Sequence, residues 1–217
     1  MPKLQRAQML DLAAYELIRA QVRANIVDVQ RPRRIQLGTQ LVFMFENTTT
    51  VWYQVQEILR AERIADEAAI QREIDAYNAR LGDSGQLGCC VVVAIEDRML
   101  RERRLREWLG LPAHVYLRCA GGATVRATFN RAQGDGHRIA AVQYLRFHVD
   151  DWQPIAVGCD LPGLVAETAL STAQREALEG DLHVTTELER RPAAVASRHH
   201  VAAIPQDPRD SERRRPR

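Results

Sequence analysis

The sequence predicts an α+β fold: a mostly antiparallel β-sheet with helices packed on one side. It places a single domain over residues 1–184, followed by a disordered Arg/Pro/Ala-rich tail over 185–217. Three observations lead there. Residues 11–30, 50–64 and 66–78 repeat apolar side chains at spacings of three and four, which is helical. Residues 35–46, 114–119, 124–129 and 139–149 alternate apolar and polar, which is extended. Residues 88–96 (GCCVVVAIE) are apolar on both faces, as a central strand must be.

Taken in order, Asp11 caps a helix whose stripe is Tyr15, Ile18, Val22, Ile26 and Val29. Pro32 ends it by removing a donor. Residues 35–46 alternate around Gly38 as two short strands or one bulged strand. A helix over 50–64 carries Val51, Val55, Ile58 and Leu59 on one side. Asp66 caps the next helix, with Ile70, Ile74 and Tyr77 on its buried face. A charged helix covers 97–108. Gly121-Gly122 turns one strand into the next, and Gly134-Asp135-Gly136 turns the chain into the third. Residues 155–157 and 164–169 add edge strands, and Ser171 caps a last helix to about residue 181.

The 217 residues have 46% hydrophobic and 27% charged content, ordinary for a globular chain. Lys3 is the only lysine among 30 basic residues. That bias fits either a GC-rich genome or selection for the bidentate guanidinium fork. The net charge is +2, and residues 207–217 alone hold five Arg against three acids. The remaining body is balanced, which argues against a general nucleic-acid-binding field. Cys89, Cys90, Cys119 and Cys159 form no C-x-x-C pair and read as buried thiols of a reducing cytosol. No run approaches a membrane span, and Asp11 and Glu16 interrupt any signal-peptide core, so the expected location is cytoplasmic. There is no Walker loop, no G-x-G-x-x-G and no G-x-S-x-G. No nucleophile–base pair can be defined from spacing, which leaves enzymatic activity open.

Two constellations carry candidate chemistry. Glu62 falls at 100° per residue within the Val51/Val55/Ile58 stripe, and a carboxylate there must be paired, protonated or ligating. With Glu57, Glu67 and Glu73 it raises an all-carboxylate metal site, although no His precedes His114. The alternative is an ion pair with an arginine or a helix end open to water. The second constellation is a sheet face. If the strands over 114–119, 124–129 and 139–149 are neighbours, one face gathers Tyr116, Arg118, Arg126, Tyr144 and Arg146 with two histidines. Such a face binds an anionic ligand or stacks single-stranded bases, or it is simply a solvated face.

The chain resembles the bacterial domain-of-unknown-function family 3501. The resemblance rests on Phe45-Glu46-Asn47 ending a strand, on Tyr53 to Arg63 with Tyr53-Gln54-x-Gln56-Glu57-x-x-Arg60, and on Glu73-x-Asp75-x-Tyr77-Asn78. A segment like Ala141 to Phe147 adds Gln143, Tyr144 and Arg146. It covers roughly residues 1–184. It implies an accessory to rubrerythrin-like and iron–sulfur oxidoreductase proteins, with iron or another divalent metal as cofactor. On that reading Glu46, Glu57, Glu62 and Glu73 are the metal candidates. Tyr53, Gln54, Arg60, Tyr116, Arg118, Arg126, Gln143, Tyr144 and Arg146 are the ligand-binding candidates.

Overall fold

The computed structural model describes residues 1–130 and 136–190. Helices α1 (Leu12–Gln30), α2 (Thr48–Ala61), α3 (Glu67–Asn78), α4 (Arg98–Glu107), α5 (Leu111–His114) and α6 (Thr172–Arg190) accompany nine strands. The strands are β1 (Arg34–Leu37), β2 (Leu41–Glu46), β3 (Gln86–Val93), β4 (Val115–Cys119), β5 (Thr124–Arg126), β6 (Thr128–Phe129), β7 (Val142–His148), β8 (Pro154–Cys159) and β9 (Ala166–Ala169).

The fold is α+β, and every strand pair is antiparallel. The strands form two sheets, ordered β1-β2-β3-β7-β6 and β5-β4-β8-β9. β3 is central in the first sheet, paired with β2 and β7, as its unbroken apolar run requires. The expected strand over 124–129 is divided. Thr124–Arg126 pairs with β4 in one sheet, and Thr128–Phe129 pairs with β7 in the other. Ala127, buried between them, is the joint.

One apolar cluster is drawn from both sheets. It holds Phe43, Phe45, Val91, Leu145 and Phe147 of the first and Val115, Leu117 and Val157 of the second, with Trp108 and Leu178. Phe45 and Phe147 meet at 6.1 Å between ring centroids. A second cluster joins α2 and α3 to the N-terminal segment through Met1, Leu4, Val51, Val55, Leu59, Ile70, Ile74 and Leu81. Asn78 secures that segment: Leu4 N donates to its Oδ1 at 2.8 Å, and its Nδ2 donates to Leu4 O at 3.0 Å.

Helix caps follow the sequence at Asp11 and Asp66, and Asp97, expected inside the charged helix, caps α4 in the same way; each side chain accepts from a backbone N–H three residues on. α2 begins two residues before the expected start, because Asn47 Oδ1 accepts from Thr50 N and Thr50 Oγ1 accepts from Asn47 N. It also ends early, at Ala61. α6 continues to Arg190, past the expected end of the domain. The remaining tail, 191–217, and the Gly134-Asp135 part of the expected turn lie outside the described residues. No described helix is long and apolar enough to cross a membrane.

Candidate functional site

The structure does not bring the four candidate carboxylates together. Among the described residues no group of three or more His, Cys, Asp or Glu is placed to hold a metal ion. Glu46, buried at the end of β2, has both oxygens engaged. Thr50 Oγ1 donates to Oε2 at 2.5 Å, and Gln54 Nε2 lies 2.9 Å from each oxygen. Glu57 accepts from Tyr15 Oη at 2.8 Å and from Arg19 at 2.8 and 3.0 Å, with Arg60 3.9 Å away. The Arg19 hydrogen bond holds the Glu57 carboxyl below its usual range, against the opposing effect of burial. Glu62 is exposed at the C-cap of α2, outside the apolar stripe. The 100° argument fails there because the helix has already ended. Glu73 is half-buried on α3.

The sheet-face set is likewise divided, because its strands belong to different sheets. Tyr116, Arg118 and Arg126 lie on the second sheet, where carboxylates neutralise both arginines. Glu167 Oε2 accepts from Arg118 Nη2 at 2.7 Å and from Tyr116 Oη at 2.9 Å. Asp160 accepts from Arg126 Nη2 at 2.5 Å and lies 2.8 Å from His114 Nδ1. Gln143 is buried on β7, on the opposite face from Tyr144 and Arg146, and donates to Ala140 O at 2.8 Å. Tyr53 is half-buried on α2.

Three of the expected residues do converge: Gln54, Tyr144 and Arg146. They meet around Arg80, a residue that sequence reasoning passed over. The Arg80 guanidinium lies 3.7 Å from the Tyr77 ring centroid and 4.6 Å from that of Tyr144. Its Nη1 donates to Gln54 Oε1 at 3.2 Å. A polar chain therefore runs Thr50–Glu46–Gln54–Arg80, and Arg80 is held between two tyrosines. Arg146 Nη2 donates to the Ala79 carbonyl beside it. Gly88 permits this geometry, since a Cβ on β3 would collide with the Arg80 carbonyl oxygen. Cys90 pairs with Tyr144 in the sheet, and burial pushes its thiol up to about 12.

Arg80, Tyr144 and Arg146 form one wall of a cleft of about 560 Å³. Ala76, Ala79, Thr128, Phe129 and Asn130 complete much of it, and among the described residues no carboxylate lines it. Neither Arg80 nor Arg146 is ion-paired within 4.0 Å to a described residue, whereas Arg118 and Arg126 are. Arg80 lies in the turn just past the end of α3, where its backbone N donates to Tyr77 O at 2.9 Å and so brings the guanidinium back toward the Tyr77 ring.

Fold and site together define an α+β protein with two antiparallel sheets and a cationic, aromatic-lined cleft at a sheet edge. The chain belongs to the family described as Protein of unknown function (DUF3501), whose model matches residues 3–182. It is similar to a crystal structure of a novel protein of unknown function from Burkholderia pseudomallei K96243. That similarity has a TM-score of 0.78 and 29% identity, over 83% of this chain and 100% of the other. No curated protein matches.

Proposed function

We propose that the protein is a binding module for a small planar anion, taken in the cleft beside Arg80, Tyr144 and Arg146. The observation that carries this is the pair of guanidinium groups, ion-paired to no carboxylate among the described residues, in a cleft whose described lining holds no acid. Its size falls within the roughly 300–1,000 Å³ usual for small-molecule sites. Arg146 offers a fork for phosphate or carboxylate, and Tyr144 and Phe129 offer apolar ring surface. An extended single strand is a poorer fit, because Arg118 and Arg126 lie on the other sheet and are neutralised.

Calorimetric titration with AMP, benzoate and inorganic phosphate tests the reading. AMP is expected to bind most tightly, with affinity falling as salt rises. Arg146→Ala is expected to weaken it by about tenfold or more, the loss of one charged hydrogen bond. Equal heats from wild type and an Arg80→Ala/Arg146→Ala variant would remove the proposal.

A further inference from the structure

We propose that α1 is a dimerisation helix, packing antiparallel against α1 of a second copy of this chain. The helix is apolar on two faces. Tyr15 and Ile26 are buried against the body, with Val22 and Val29 half-buried beside them. On another face, Ala13, Leu17, Ala20, Ala24 and Val27 are all exposed, at successive spacings of 4, 3, 4 and 3. Leu17 is 87% exposed and Val27 51%, and Ile18 flanks them at 43%. A 3.5-residue repeat of this kind is the seam of a left-handed helix pair, and its alanines let two axes approach closely.

The flanking charges select the occupant and the register. In heptad terms Leu17 and Ala24 are a positions, and Ala13, Ala20 and Val27 are d positions. Antiparallel pairing then sets Leu17 against Ala20, and Ala13 against Ala24, of the second copy. Glu16 and Arg23, the exposed g positions, face Arg23 and Glu16 of that copy, so two opposite-charge pairs form about the two-fold axis. Sliding one helix by a heptad would set Arg23 against Arg23 instead. The helix is self-complementary in one register, as a second copy requires and an unrelated apolar partner does not.

Sedimentation equilibrium of the full chain over the micromolar range tests this. The wild type is expected to move from one-chain to two-chain mass as concentration rises. Leu17→Glu is expected to hold it at one chain. Glu16→Arg sets like charges together twice and is expected to weaken association by about tenfold, and the double swap Glu16→Arg/Arg23→Glu to restore it. All three positions are exposed, so circular dichroism and the monomer's melting temperature should not change. A wild type of one-chain mass throughout overturns the proposal, as does a dimer indifferent to Leu17→Glu or Glu16→Arg.

Discussion

Arg33 and Asp181, 148 residues apart, form a two-pronged ion pair. Arg33 Nε donates to Oδ2 at 2.8 Å and Nη2 to Oδ1 at 2.9 Å. Asp181 is buried at 4% exposure on α6 and also accepts from Asn47 Nδ2 at 3.1 Å. The pair therefore fastens the end of α1, the start of α2 and the last helix at one point. Asp181→Ala would leave a largely buried guanidinium without its partner, so urea unfolding should show a loss of about 3–5 kcal/mol.

Acid should loosen the Asp160 contacts that hold His114 and Arg126 at the second sheet. The Arg126 hydrogen bond, then that from His114, lowers the Asp160 carboxyl to about 2. A group depressed in the folded state contributes stability that is complete above its unfolded value, about 3.9, and is lost as pH falls through the folded value. The melting temperature should therefore fall between about pH 4 and pH 2. Asp160→Asn should flatten part of that slope. Glu57, Glu67, Asp83 and Glu167, also lowered by basic partners, supply the remainder.

Gly88→Ala should damage stability and the cleft together. The added methyl group meets the Arg80 backbone carbonyl, which cannot rotate away as a side chain would. We expect a loss of about 1–3 kcal/mol in denaturant titration, the usual range for overpacking. Displacement of Arg80 should also reduce AMP binding in the refolded fraction.

Gln54→Leu should cut the polar chain at its centre. Glu46 would keep Thr50 but lose both contacts from Gln54, and Arg80 would lose its acceptor. The cost of such a partly stranded buried group is about 1–3 kcal/mol, readable as a shift in the unfolding midpoint at constant slope.

The thiols should be unreactive in the folded protein. Cys89, Cys90, Cys119 and Cys159 are all buried, and burial raises each of them. Dithionitrobenzoate at pH 8 should label native protein only slowly and all four sites after guanidinium. Rapid native labelling of Cys90 would contradict the packing described.

Local chemistry was legible where one residue decides one feature. Asp11 and Asp66 announced their helices, Gly121-Gly122 its hairpin, and the run from Gly88 its central strand. Glu62 misled because periodicity continues past the residue where the helix stops, and only the backbone records that stop. The polar signature of α2 proved structural in large part: Gln54 holds Glu46, Gln56 accepts from Leu10 N, and Glu57 holds Arg19. Arg80 escaped notice because its tyrosine partners come from α3 and from β7, 64 residues beyond it, a meeting set by strand order. Ile18, expected on the buried stripe, is instead 43% exposed, since α1 has two apolar faces and the body takes only one.

The joint at Ala127 has a kinetic meaning. β5 and β6 are separated by one residue yet belong to different sheets, so neither strand can slip without dragging the other. Edge strands of this kind commonly fray alone. Here the amides of β4 and β7, the respective partners of β5 and β6, should exchange with deuterium on one shared timescale, the mark of a single opening event that spans both sheets.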